Sequence, residues 1–166
     1  MTSIFINYRR RDDAYAAALL DYGLSQQFGP ESVFRAGRSI LAGEDYEVGL
    51  STALDLCSAM VVIIGPDWQD SFDASADTSD WVVIEISRAL RRNIRVIPVL
   101  LSGTERLRAD ALPPELKTLA RLQYLRFDYR NISQDLAHIT AEIRRAVPEL
   151  ATAQPSDPRV ARESSR

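Results

Sequence analysis

The 166-residue chain contains one cysteine, one histidine and one lysine. Cys57 alone leaves no internal disulfide framework and no multi-cysteine metal site. With His138 as the sole histidine, there is no basis for a histidine zinc centre, and no metal is expected. No run approaches the ~18 consecutive apolar residues that a membrane-spanning helix needs. The opening Met1-Thr2-Ser3-Ile4-Phe5-Ile6 is too short an apolar run for a signal peptide, so a cytoplasmic protein is expected. Both the GxGxxG and GxxxxGK[ST] phosphate loops are missing, as is the GxSxG elbow. An excess of charge of one sign is missing too. Twenty basic residues face 23 acidic ones, for a net charge of −3. That balance gives no broad attraction to nucleic acid or to an acidic membrane.

What is present reads as one domain of ordinary size. Ile4 to Tyr8 is a short β-rich run. Asp12 or Asp13 is placed to cap the helix that follows, which stops at Phe28-Gly29-Pro30. Ser32 to Arg35 suits a brief second strand, Ala36 to Asp45 a polar loop, and Tyr46 to Leu56 a helix. Ala59 to Ile64 is a continuous apolar run, the pattern of a strand buried on both faces. A helix is expected from Asp80 to about Arg92 and a buried strand from Ile94 to Leu101. Pro98 lacks a ladder donor and belongs near that strand's end or at a bulge. A short helix at Pro114 to Ala120, a strand at Leu122 to Leu125 and a helix at Ser133 to Val147 complete the pattern. Residues 151–166 carry Pro155, Pro158 and many polar groups, and are expected to form a flexible tail or linker.

Strand and helix alternate five times. That pattern implies an α/β fold: a flavodoxin-like five-stranded parallel sheet, order 2-1-3-4-5, with helices on both faces. Ligands in such sheets bind beyond the carboxyl ends of the strands. Arg9 to Asp13, Ala36 to Asp45, Gly65 to Asp80 and Ser102 to Leu112 lie at that edge.

Trp81 and Glu85 are four residues apart on the Asp80 helix and so share a face. Val82, Val83, Ile86, Ala89 and Leu90 make its apolar stripe, with Trp81 and Glu85 on the flank. The pair would border the crevice, where the helix dipole favours an ionised Glu85. A first-turn glutamate beside a packing tryptophan has the same spacing. Arg9, Arg10 and Arg11 meet a helix N-terminus, where arginines hold phosphate or form a solvated capping run. Tyr8 is placed to stack on a base or to pack at the strand edge. Arg38, Ser39 and Tyr46 are placed to close over a ligand or to lie on a mobile loop. Cys57 has no histidine nearby to activate it.

Several of these segments together resemble the Toll/interleukin-1 receptor (TIR) domain, particularly its bacterial form. Phe5-Ile6-Asn7-Tyr8-Arg9-Arg10 resembles the family's FISYRR opening. Val33-Phe34-Arg35, Ser39-Ile40 and Gly43-Glu44-Asp45-Tyr46 are similar to its second strand and BB loop. Val62-Ile63-Ile64-Gly65-Pro66-Asp67-Trp68 is similar to its third strand, and Asp80-Trp81-Val82-Val83-Ile84-Glu85 to its WxxxE helix. Ile97 to Leu100 and Leu112-Pro113 complete the resemblance, which implies a TIR domain over residues 1–150. Asn7 stands where serine is usual, a swap expected to change little. Ala36 stands where an aspartate is common, which puts the anchoring of the BB loop in question.

The resemblance implies cleavage of NAD⁺ as substrate, without a further cofactor, with Glu85 as the catalytic residue. It places Tyr8, Arg9, Arg10, Tyr46, Trp68 and Trp81 near the NAD⁺ pocket. It also implies self-association through TIR–TIR contacts and a place in prokaryotic defence signalling or NAD depletion. The alternative is a non-catalytic adaptor that binds other TIR domains through the BB loop. A receiver domain is a third reading. It needs paired acids after the first strand and one after the third, which Asp12, Asp13 and Asp67 meet in part, but Lys117 is its only lysine.

Overall fold

Each apolar run is separated from the next by a helix, so successive strands return in one direction and pair in parallel. A computed structural model of the chain describes residues 3–72 and 80–152. Its five strands are β1 (Ser3–Asn7), β2 (Val33–Phe34), β3 (Cys57–Ile64), β4 (Arg95–Leu101) and β5 (Leu125–Phe127). They form one parallel sheet in the order β2-β1-β3-β4-β5, the expected flavodoxin-like order. Ile6 pairs with Val61, Val61 with Ile97, and Val99 with Leu125, and the β1–β3 register shifts once, between Ser3 and Ile4. The helices are α1 (Arg10–Phe28), α2 (Ala36–Ser39), α3 (Tyr46–Leu56), α4 (Trp81–Arg91) and α5 (Ile132–Ala146).

The sheet divides the core in two because successive strand residues point to opposite faces. Ile4, Ile6, Val61, Ile63 and Val99 pack with Leu20, Leu24, Ile139 and Ile143 of α1 and α5. Phe5, Met60, Val62, Ile64 and Leu100 pack with Leu50, Leu54, Val82 and Ile86 of α3 and α4. Both faces are covered, which is why β3 reads as an unbroken apolar run. One consequence positions the site. Asn7 follows Phe5 on the α3/α4 face, so a polar side chain ends that buried row beneath α4.

Several expectations are corrected. Neither Asp12 nor Asp13 caps α1. The helix starts at Arg10 with Arg9 as its N-cap, and Asp13 sits inside it with φ −121° and ψ 15°. Asp13 leaves helical geometry to accept the backbone N–H of Gly65 at the end of β3. The loop after β2 folds into α2, because Ser39 Oγ turns back to accept the Arg35 N–H at 3.1 Å. Pro98 lies mid-strand opposite Val62 rather than at an end or bulge. Strand β5 joins only at Val99, so Pro98 has a ladder neighbour on one side alone, as on an edge strand. The last strand comes three residues later than expected, at Leu125–Phe127, and the segment before it is a 3₁₀ helix, Pro114–Arg121. Among the described residues, no helix is long and apolar enough to cross a membrane. Of the expected tail, residues 151–166, the first two end a 3₁₀ helix, Pro148–Thr152, and residues 153–166 lie outside the described residues, as do residues 73–79 of the third edge segment.

Candidate active site

Three helix N-termini converge beyond the carboxyl end of β1. They enclose a cleft of about 460 Å³. Tyr8, Arg9 and Arg10 enter it from the end of β1 and the start of α1, Tyr46 from α3, and Trp81 and Glu85 from α4. Six of the seven site residues expected from sequence therefore line one cavity.

Asp80 builds the α4 side. It is the N-cap, and its Oδ1 accepts the Val82 N–H at 3.1 Å. This satisfies one of the donors left open at a helix start. The same carboxylate receives Arg9 Nη1 at 3.2 Å and Nη2 at 2.7 Å. Arg9 also lies over the Phe72 ring at 4.9 Å, and Phe72 meets Trp68 edge-on at 4.6 Å. Arg9 is thus held by an acid and an aromatic face, and is not free to hold a phosphate as expected. Arg10 and Arg11 line the same cleft and are exposed. Trp68 is only 1% exposed and sits in the core on the α3/α4 face. It supports Phe72 and Arg9 from below and does not form a wall of the cleft.

Glu85 is only 8% exposed. It lies on the buried side of α4 with Val82 and Ile86, rather than on its flank. Burial pushes its carboxyl from the ordinary 4.5 up to about 7, against the hydrogen bond from Asn7, while the charge of Asp80 adds to the rise. The expected dipole effect does not prevail, because Glu85 is the fifth residue of α4 and that influence fades within the first turn. Asn7 Nδ2 donates to Glu85 Oε2 at 2.6 Å and lies 3.4 Å from Val82 O. Asn7 was expected to matter little, yet it is the direct partner of the site's carboxylate. The available signal was its place: a polar residue ending a buried apolar strand.

The loop beside the cleft has its own anchor. Asp21, buried on α1, accepts Arg35 Nε at 2.7 Å and Arg38 Nε at 2.7 Å, and Ser25 Oγ at 2.8 Å. Burial works to raise the Asp21 carboxyl, but bonds from Arg38 and Arg35 prevail and hold it below the ordinary carboxylate range. Arg38 is spent on this anchor and on the Val33 carbonyl, and Ser39 on Arg35, so neither closes over a ligand. The question raised by Ala36 has its answer here: arginines on the loop reach down to an acid on α1. Tyr46 is 43% exposed at the cleft mouth. His138 is exposed on the outer side of α5, and burial pushes the Cys57 thiol up to about 11.

The receiver reading fares less well. Asp13 is raised to about 6 by burial first and then by Asp12, with Asp67 adding to it. The carboxylate is already committed to Gly65, however, and among the described residues no three acids are grouped to hold a metal ion.

A buried carboxylate beside a flat aromatic, with exposed arginines at the rim, suits an anionic ligand that carries an electron-poor ring. Comparison with known proteins bears on the family. A family model described as "TIR domain" matches residues 4–141. The Drosophila melanogaster protein named NAD(+) hydrolase sarm1 is 25% identical over 157 residues, which cover 93% of this chain. The chain spans 11% of that much longer protein. Among solved structures, the TIR domains of the activated Roq1 resistosome superpose with a TM-score of 0.62 at 14% identity, covering 85% of this chain and 98% of that one. A metazoan TIR-STING receptor from C. gigas superposes with a TM-score of 0.53 at 26% identity, covering 82% of this chain and 39% of that one.

Proposed function

The chain belongs to the TIR domain family, and from that membership we propose that it cleaves the nicotinamide–ribose bond of NAD⁺ with Glu85 as the catalytic carboxylate. The observation that carries this reading is Glu85 itself: a buried acid, poised near neutrality, in the same cleft as Trp81. The relationship to a fly NAD(+) hydrolase supports it.

The chemistry fits a site without histidine, thiolate or metal. The nicotinamide ring of NAD⁺ is already cationic. When the C1′–N bond breaks, its electron pair neutralises the ring, so no general acid is needed. Positive charge passes to the ribose as an oxocarbenium-like cation. Ionised Glu85 stabilises that charge, and does so more strongly in a buried site than in water. Water then adds at C1′ and loses a proton, giving ADP-ribose, nicotinamide and H⁺. Attack by the adenine or by a ribose hydroxyl gives a cyclic isomer instead. Trp81 forms the aromatic wall, and Arg10 and Arg11 meet the diphosphate. NAD depletion or messenger production in prokaryotic defence is the role we assign to that reaction, on the likeness of Phe5 to Arg10 to bacterial TIR openings.

A second reading is favoured by a separate observation. Leu41 and Val48, before and within the first turn of α3, are 65% and 62% exposed, which suits docking of another TIR domain through the BB loop. Incubation with NAD⁺, with nicotinamide release followed by chromatography, separates the two. Release by the native chain and none by Glu85→Gln is expected. Equal release by both, or none by the native chain at high concentration, leaves the adaptor reading.

A further inference from the structure

Asn7 is wholly buried at the last position of β1, directly beneath the first turns of α4. Its two polar neighbours, Val82 O and Glu85 Oε2, are both acceptors. The orientation of the amide follows: only the nitrogen can face them. At 2.6 Å the contact with Glu85 is short, as charge-assisted hydrogen bonds are. The amide oxygen has no partner among the described residues. A buried carbonyl without a partner costs stability, so the amide is held for its nitrogen and not for its oxygen. Asn7 does not line the cleft, whereas Glu85 does. No described residue bonds Glu85 Oε1.

We propose that Asn7 is a positioning residue for the Glu85 carboxylate: its side-chain amide fixes Oε2 and leaves Oε1 as the oxygen that meets the substrate. Its catalytic consequence rests on the NAD⁺-cleaving reading above. An N–H donor favours the ionised form of a carboxyl group. Asn7 therefore also keeps Glu85 ionised at a pH where burial would otherwise protonate it. Among the described residues, the charged and titratable groups around Glu85 are Asp80 at the N-cap of α4, Arg9, Arg10, Arg11 and Asp12 around the start of α1, Tyr8 just after β1 and Tyr46 on α3. Of these, Asp80 opposes ionisation, and Asn7 is the neutral group that favours it.

Two measurements test this. The first uses the native chain and needs no activity: NMR titration of the Glu85 carboxyl carbon and the Asn7 side-chain amide proton. Both are expected to move with one midpoint near 7, and the amide is expected to stop moving in Glu85→Gln. An Asn7 amide that stays still while Glu85 titrates overturns the proposal, whatever the reaction proves to be. The second uses Asn7→Leu, with folding checked by circular dichroism. The Glu85 midpoint and the acid limb of kcat/KM should both rise by about 1 unit or more, the usual effect of losing a hydrogen bond to a charged group. At high pH kcat should fall while KM holds, because Asn7 is outside the cleft. A folded variant with an unmoved acid limb overturns the positioning role. Absence of nicotinamide release from the native chain instead removes the NAD⁺ reading, and the NMR titration still decides the Asn7–Glu85 pair.

Discussion

The Arg9 guanidinium closes on both carboxylate oxygens of Asp80, at 3.2 and 2.7 Å, joining the end of β1 to the start of α4. The two side chains are 16% and 21% exposed, so the pair is partly desolvated. Asp80 acts in two ways at once. It caps α4, and its charge helps to raise Glu85.

Asp80→Asn separates those roles, since asparagine caps a helix as well as aspartate does. The variant keeps the cap, removes the charge and leaves Arg9 without its acid. Loss of the ion pair should destabilise the fold by about 1–3 kcal/mol. Glu85, relieved of a like charge, should ionise more easily. The acid limb of nicotinamide release should therefore move to lower pH than in the native chain. Denaturant melts and a pH–rate profile measure the two effects separately. An unmoved or raised limb would show that Asp80 does not act on Glu85 through its charge.

Glu85 should make the fold less stable as pH rises. Its folded value is about 7 against an ordinary 4.5. Between those values the folded chain keeps a proton that the unfolded chain has lost. Stability is therefore highest below the lower value and falls as pH rises through the upper one. The full loss is on the order of 3 kcal/mol. Asp13, raised to about 6, adds a loss of the same sign at lower pH. Glu85→Gln should remove the Glu85 share alone. It should be more stable than the native chain at pH 8 by about 1–3 kcal/mol, and nearly equal to it at pH 4.5. Urea melts at both values check this. The variant that loses activity would thus gain stability, as expected when a buried charge is kept for function.

Much of this arrangement is legible in the sequence, for physical reasons that differ by element. Strands β1, β3 and β4 stand out because both sheet faces are covered, which demands unbroken apolar runs such as Met60 to Ile64. The cleft is legible too, since strand order alone places the ends of β1, α3 and α4 at one edge. Side-chain direction is not. Trp68 belongs to a motif near the pocket, yet it points into the core, because nothing local reveals which face its turn presents. The Asn7–Glu85 bond spans 78 residues and exists only once β1 lies beneath α4. The depth of Glu85 was missed for a related reason. Periodicity marks a helix's apolar stripe, but not how far the neighbouring strand extends under its flank. Helix α2 was missed because it forms around one side-chain turn, Ser39 to Arg35, in a polar segment.

Asp21→Asn should loosen the loop beside the cleft. Asp21 holds Arg35 and Arg38 together, and both would lose their acid. A cost of about 2–3 kcal/mol is expected for breaking this half-buried cluster. Because the Asp21 carboxyl is held low, its contribution is present at neutral pH and is lost as pH falls below the ordinary 3.8. Ala36 and Tyr46, the first residues of α2 and α3, border the cleft, so KM for NAD⁺ should rise more than kcat falls. Steady-state kinetics beside a thermal melt would show it. An unchanged KM with a lowered melting temperature would confine Asp21 to stability.

Leu41 and Val48 lead to the last prediction. They expose apolar side chains just before and within the first turn of α3, the helix whose first residue, Tyr46, lines the cleft. Gly43, between Leu41 and Asp45, has φ 91°, a conformation that glycine adopts without strain. On the NAD⁺-cleaving reading, a second chain docked on this patch would exclude water from the cleft and strengthen the field of Glu85 on the ribosyl cation. Specific activity should then rise with protein concentration. Leu41→Glu should lower it at moderate concentration by blocking association, and should leave the Glu85 midpoint and the fold unchanged. A dilution series with light scattering on the same samples measures both quantities. Flat specific activity across the series, with the native chain and Leu41→Glu alike, would mean that a single chain holds the whole site.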